Sequence, residues 1–365
     1  MNLKNLSYWQ KQSYFKSVDL TIVGAGFTGL WAAYHFLERF PGANVQIFES
    51  GPFPMGASIK NAGFSCFGSA GELAGDLEEH SVDHLLLRME QRVKGLAYLL
   101  ERVPRKAMDY QASGGLEIFT DPIGFAKVND KLDFLNQLIA PITEEKETYN
   151  LKKVWGEKDI YCKMESMLNP GKLIQYLSEN VAQKGARFHF GCEVVEVKSG
   201  YVWLKNVPDP IPSECILLAT NGYSHNLVPS VAIQPTRNYV MLTQPLPKIP
   251  IDFPVHHHQG FVYFRPLDGR LLMGGGRHIS LQTEFTSSQE IPDNIKEWLI
   301  NFAKENLHLD LANKIAMEWT GTMGYLEDKT PKCLKTDENV YWIGGYSGMG
   351  VGPSAHLSKE WVKDL

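Results

Sequence analysis

The stretch from Val18 to Gly29, V-D-L-T-I-V-G-A-G-F-T-G, constrains this chain more than any other. A short apolar run leads into Gly24, Gly26 and Gly29 at G-x-G-x-x-G spacing, and Leu30 to Phe40 then reads as a helix. A second apolar run, Val45 to Phe48, ends on Glu49. Strand, glycine turn, helix and strand with an acid at its tip make the opening of a parallel βαβ unit. In such a unit the first glycine permits the turn and the second lets backbone approach a pyrophosphate. The third lets the helix sit close to the strand. The helix N-terminus offers unpaired N–H groups to phosphates, and Glu49 can accept from a ribose hydroxyl. A bare glycine triplet also fits an ordinary βαβ unit; the flanking elements and the acid favour a dinucleotide.

Composition narrows the rest. A chain of 365 residues, 44% hydrophobic, can build one large or two medium domains with real cores. With 36 basic against 41 acidic residues the net charge is −5, and there is no basic tract to meet a phosphate backbone, which argues against nucleic acid. Five cysteines, at 66, 162, 192, 215 and 333, are scattered without pairing, as in a reducing compartment. No apolar run approaches the length of a membrane span, and the first residues lack the apolar core of a signal peptide, so the expected location is cytoplasmic. Residues 1–17 read as a lead-in that packs Tyr8, Trp9, Tyr14 and Phe15 on the first domain.

After Glu49 and Ser50, Gly51 to Leu73 is too glycine-rich for a regular element and too apolar for a linker. Its small residues Gly56, Ala57, Ser58, Ala62 and Gly63 permit close approach to a flat ligand, to which Lys60 or Asn61 can add a donor; the bland alternative is a packed surface loop. Helices are expected over 76–103, 132–139, 168–184 and 289–307. Ala186 to Val197 reads as two strands broken at Gly191, continued by Tyr201 to Leu204. Cys215 to Ala219 is a buried strand ending on Thr220-Asn221-Gly222, a second place for backbone to meet a dinucleotide. From Val231 to Met273 the pattern changes to antiparallel strands, with Asp268-Gly269 closing a hairpin. At the end, the strand Val340 to Ile343 feeds a glycine-rich turn and a last helix. The expectation is an α/β fold. A Rossmann-like domain is made of 1–80, 151–235 and 311–365, and an inserted α+β substrate domain of 81–150 and 236–310 is built on an antiparallel sheet.

Five stations in order along the chain make it resemble the D-amino acid oxidase, glycine oxidase and sarcosine oxidase family. They are G-A-G-F-T-G with Glu49, G-A-S-I-K-N-A-G at 56–63, L-A-T-N-G-Y at 218–223, the Y-F-R-P-L-D-G-R-L-L-M-G-G hairpin at 263–275 and G-Y-S-G-M-G at 345–350. The hairpin is most similar to that of gamma-glutamylputrescine oxidases. The resemblance implies FAD. Gly24, Ala25, Gly26, Thr28 and Gly29 would hold the pyrophosphate and Glu49 the ribose, with Ala57 and Ser58 over the pyrophosphate's other side. Val194 would meet adenine through its backbone, and Ala219 and Thr220 would line the second crossing. Gly345, Tyr346, Ser347, Gly348, Met349 and Gly350 would cradle the ring's pyrimidine edge, where a helix N-terminus supports negative charge.

The departures from that family matter as much. Sarcosine oxidases tether FAD through a cysteine in the region matching 318–325, which here reads E-W-T-G-T-M-G-Y, so the cofactor is expected to be non-covalent. The carboxylate-binding arginine of glycine oxidases is replaced by Met323, and the lysine credited with activating oxygen in sarcosine oxidases by Leu272. Tyr263 matches a substrate-facing tyrosine of glycine oxidase. Arg265 lies two residues further on the same strand face and can offer a planar fork to a carboxylate, or pair at the surface. Arg277 and His278 follow a glycine run and can line the site or a solvated edge. Lys60 can stabilise reduced flavin or reactive oxygen, or be solvated. Met323, Tyr325 and Met349 stand near the flavin or fill core. His256, His257 and His258 lack a carboxylate or cysteine at ligand spacing, and no metal is expected. His225 and Tyr223 read as structural.

The leading expectation is an FAD-dependent oxidoreductase acting on the C–N bond of an amino acid or related amine, with oxygen or another electron acceptor completing the cycle. A hydroxy-acid dehydrogenase on the same scaffold and a flavin-binding redox partner without turnover are the alternatives.

Overall fold

A computed structural model describes residues 6–156 and 158–365. The chain divides into two units. The first takes Met1–Ile59, Gly171–Pro235 and Met323–Leu365, the second Lys60–Pro170 and Thr236–Thr322.

In the first unit the opening apolar run forms the strand Val18–Val23, flanked in parallel by Val45–Glu49 and Ile211–Leu218. Arg187–Phe190 extends the sheet in parallel beyond Val45–Glu49, and Val340–Gly344 beyond Ile211–Leu218; Lys332–Asp337 closes that edge antiparallel. Leu20, Ile22 and Ile47 are fully buried, as expected of strands covered on both faces. The helix Phe27–Arg39 buries Leu30, Trp31, Ala32 and Ala33, and the last helix, Pro353–Asp364, lies against it: Ser358 Oγ donates to Thr28 O at 3.1 Å. The chain therefore leaves the C-terminal end of Val18–Val23 at a point where neighbouring strands lie on both sides, the place where such sheets open a crevice for ligands.

The second unit is built on an eight-stranded sheet. Its order is Ile315–Tyr325, Gln234–Thr243, Arg270–Gly275, Val262–Leu267, Val255–His257, Gly115–Ile118, Asp159–Cys162 and Tyr149–Lys152. The hairpin is antiparallel as its turn predicts, but Val255–His257 pairs in parallel with Gly115–Ile118. Alternation sorts the side chains. Tyr239, Met241, Val262, Phe264, Leu271, Met273, Leu116 and Ile118 face a core completed by Ile295, Leu299 and Phe302 of the helix Asp293–Asn306. Tyr263, Arg265, Leu272, His256 and Glu117 point to the other face.

Three expectations are corrected. Residues 60–80, 151–170 and 311–322 fall in the second unit, because their strands extend its sheet and the helix Ala70–Glu79 is tied to it through Glu117. The helix expected over 76–103 is two helices, Ala70–Glu79 and Val82–Arg102. His80 is extended between them, and Ser81 caps the second by accepting from His84 N. The lead-in forms a short helix, Tyr8–Tyr14, with no buried residue. Tyr8, Trp9 and Tyr14 are 66%, 75% and 53% exposed: a Ser7–Gln10 capping box and the Arg187–Ser13 bond hold the helix, and the Tyr14 ring meets His189 of the first unit edge-on. Phe15 does pack against the first unit's core.

Candidate active site

The glycine turn of the first unit is drawn tight by sterics. A Cβ on Gly29 would lie 2.0 Å from Gly24 O, and one on Gly24, which has φ +107°, would lie 2.8 Å from Ala219 O. Helix and strand approach this closely only because both positions lack side chains. Gly26 caps the helix without a side chain of its own, and Ser58 Oγ supplies the cap by accepting from Phe27 N at 3.0 Å. Glu49, 9% exposed, turns back on the turn: Oε2 accepts from Ala25 N at 3.1 Å and Oε1 from Gly51 N at 3.0 Å, with Ser50 Oγ at 3.4 Å. A buried acid beside a side-chain-free helix N-terminus fits the ribose and pyrophosphate of a dinucleotide. Ala57 stands beside Ser58 on the one-turn helix Ala57–Lys60. Val194 is buried at the start of the strand Val194–Lys198.

Two further stations meet in the same unit. Ala219 N donates to Val23 O at 2.9 Å, carrying the chain past the first turn into Thr220, whose hydroxyl bonds Ser224 at 2.8 Å. Asn221 adopts a left-handed backbone (φ +43°), and its Oδ1 accepts from Gly345 N at 3.0 Å. Gly222 adjoins Gly324, where a Cβ would lie 2.6 Å from Asn221 Oδ1 and 2.9 Å from Gly222 N. Ser347 N donates to Gly324 O at 3.0 Å, Met349 N to Tyr346 O at 2.9 Å, and Tyr346 shares a 2.8 Å bond with the Thr28 hydroxyl. Gly345, Ser347 and Gly348 all have positive φ, so this turn ahead of Gly350 and the last helix is tightly coiled and pinned through the N–H groups of Gly345, Ser347 and Met349. Met323 Sδ and Tyr325 Oη lie 3.3 and 3.7 Å from the Cβ that Gly348 lacks.

The remaining candidates lie in the second unit. Lys60 Nζ donates to Gln289 Oε1, its carbonyl accepts from Trp319 Nε1 at 2.9 Å, and burial pulls its ammonium below the usual lysine range. Asn61 Oδ1 accepts from Gly63 N at 2.8 Å across Ala62. Gly63, at φ +73°, leaves room for a guanidinium: its Cβ would lie 3.2 Å from Arg265 Cζ. Arg265 is 5% exposed. Its Nη1 donates to Gly63 O and Leu168 O at 3.0 and 3.1 Å, while its Nε has no hydrogen-bond partner among the described residues. Burial pushes its pKa down to about 10. Tyr263, on the same face, is held by Asn238 Nδ2 at 2.6 Å.

The other candidates have partners of their own. Arg277 stacks over Phe261 at 4.4 Å, and burial pushes His278 down to about 4. His256 bonds Glu165 and His257 Nδ1 lies 3.0 Å from Ile118 O, so adjacent histidines turn to different partners. Sequence reading passed over Asn238, Gln289 and Glu165, which act on the candidates across long stretches of chain, and the pinning role of Asn221; only a polar residue on a glycine corner hinted at the last.

A glycine turn with a buried acid beside it, a second corner against that turn and a glycine-rich turn before the last helix are the pattern of a dinucleotide-binding fold. Residues 19–363 match the family described as DAO, FAD dependent oxidoreductase, and the chain belongs to that family. It is 27% identical over 374 residues to a probable oxidoreductase, OrdL, of Rhizobium meliloti strain 1021, covering 95% of this chain and 83% of that relative. It is 22% identical over 381 residues to the gamma-glutamylputrescine oxidoreductase of Escherichia coli K12, with the same coverage. Among solved structures, glycine oxidase from Geobacillus kaustophilus superposes with a TM-score of 0.73 at 17% identity over 95% of both chains, a likeness of fold. The protein is an FAD-dependent oxidoreductase. Among the described residues no helix is long and apolar enough to cross a membrane.

Proposed function

We propose that this oxidoreductase oxidises the C–N bond of an amino acid or related amine, with FAD bound non-covalently. The observation that carries the reading is Arg265: a buried guanidinium whose Nη1 has two carbonyls for partners and which, among the described residues, has no carboxylate in an ion pair and no hydrogen-bond partner for Nε. Leaving such a donor unmet is costly, and a substrate carboxylate meets it. Tyr263, fixed by Asn238, flanks that carboxylate on the same strand face. Met323 brings no charge, so Arg265 takes the clamping role for which Met323 is unsuited.

In the first unit Gly24 to Gly29 with Glu49 and Ser58 would hold the dinucleotide's phosphates and ribose, and Gly345 to Gly350 would hold the ring's polar edge. FAD would supply a hydride acceptor there for the carbon bearing nitrogen. The chain's residues bind and orient: Arg265 fixes the carboxylate, Tyr263 sets its angle, and the amine enters neutral so that its lone pair can form the imine, which water hydrolyses. No general base is needed for that step, since positioning supplies much of the acceleration. The absence of a thiol in Glu318–Tyr325 supports a cofactor without a covalent tether. The gamma-glutamylputrescine oxidoreductase relative supports amines as substrates.

Turnover of amino acids, N-methylated amino acids and gamma-glutamylated polyamines tests this. Ammonia or a primary amine released with the matching carbonyl product supports it. Turnover confined to 2-hydroxy acids replaces it with a hydroxy-acid dehydrogenase. Flavin that stays with the polypeptide after denaturation contradicts the non-covalent reading.

A further inference from the structure

The sheet face carrying Tyr263 and Arg265 continues into a buried polar group that substrate binding does not use. His256 pairs across strands with Tyr263 on one side and Glu117 on the other. Glu117, Glu165 and His256 are 2%, 1% and 4% exposed. Glu117 accepts from Ser69 Oγ at 2.9 Å and from Gly71 N at 2.8 Å, which sets its carboxylate on the N-terminus of the helix Ala70–Glu79. His256 Nε2 lies 2.8 Å from Glu165 Oε2, and the other Glu165 oxygen has no hydrogen-bond partner among the described residues. These side chains, with Ser69, Tyr149 and Cys162, line a cavity of about 10 Å³, the size that admits one water. Glycines make the room. A Cβ at Gly71 would lie 2.2 Å from Glu117 Oε1, and one at Gly115 2.1 Å from Glu165 Oε2.

The charges do not balance. Behind the lining Glu72 and Arg92 pair at 2.9 Å, and burial raises the pKa of the lining Cys162 and Tyr149 and of nearby Cys66, keeping them neutral. Two carboxylates then face one imidazole. With every group ionised, a negative charge is left uncompensated where water cannot screen it.

We propose that this cavity is a buried proton and water site. His256 is protonated against Glu165, one water donates to Glu165 Oε1, and Glu117 carries a labile proton exchanged with that water. Protonation takes one proton from solvent and breaks no other bond. Burial pushes Glu117 up to about 7, against the helix N-terminus, the Ser69 hydroxyl and the His256 charge, which all pull it down, so the proton is exchanged near neutrality. The site rests on the fold of the second unit alone and stands whatever the substrate is.

Infrared titration of the holoenzyme labelled with ¹³C-glutamate tests it. A protonated-carboxyl stretch should fade as pH rises through about 7. It should be absent at every such pH in Glu117→Gln, where the amide can accept from Gly71 N and donate to Ser69 Oγ, and unchanged in the exposed control Glu78→Gln. In His256→Gln the midpoint should rise by about one pH unit, because a nearby positive charge is gone. A high-resolution crystal structure should place a water on Glu165 Oε1. No titrating glutamic acid in the unmodified protein, a band that survives Glu117→Gln, or a dry cavity overturns the proposal. If Glu117→Gln does not fold, the labelled unmodified protein and His256→Gln decide it.

Discussion

Arg265 carries more of the substrate reading than any other side chain, because its burial is compensated on one nitrogen only. Arg265→Met should raise KM for an acidic substrate roughly thirtyfold, about 2 kcal/mol of lost charge pairing, with FAD content nearly unchanged. Arg277→Met should change KM much less, since that side chain lies over Phe261. Steady-state kinetics and flavin absorbance check both; an unaffected KM in Arg265→Met removes the clamp. That Tyr263 and Arg265 share a face was legible from strand periodicity. That Gly63 O and Leu168 O would hold the guanidinium was not, because those contacts join residues far apart in sequence and depend on how the loop folds. Glu117 shows the same limit. Its seat on a helix that begins nearly fifty residues earlier joins two stretches that no local pattern connects.

At the scale of elements, the glycine stations were legible because each is local: turn, backbone approach and helix start lie within a few residues. What joins them was not. Asn221 ties the corner after Ile211–Leu218 to the last glycine turn through Gly345 N. Asn221→Ala removes that acceptor and also strains a left-handed backbone position (φ +43°), at a cost of about 1–3 kcal/mol. FAD affinity, titrated into apoprotein by flavin fluorescence, should fall at least about tenfold. Asn221→Asp, which keeps the oxygen acceptor, should retain most of it. Equal affinity in Asn221→Ala would mean that the last turn holds its shape without the pin. The long helix expected over 76–103 shows a different failure. Its apolar periodicity runs across the break, and only Ser81, a good cap, marks where one helix stops and the next begins.

At the scale of the molecule, the alternation of parallel and antiparallel patterns revealed two building plans but misplaced their seams. Local pattern says what a segment is, whereas the sheet it joins is decided by pairing. Residues 151–170 are the example: their strand Asp159–Cys162 pairs with Gly115–Ile118. The first unit is discontinuous, and its Ile211–Leu218 strand needs Val340–Gly344 as a neighbour. A 1–235 fragment should therefore be insoluble or devoid of flavin, and a soluble yellow fragment would refute that architecture. On the proposed function, bound flavin takes electrons from a carbon bearing nitrogen. Anaerobic mixing of the yellow holoenzyme with amino acids and amines, followed at the flavin band at about 450 nm, measures that transfer. The band should bleach with an amino acid or amine, more slowly at limiting concentration in Arg265→Met, and the carbonyl product should appear in step. Bleaching by 2-hydroxy acids while every amine leaves the band intact would contradict it.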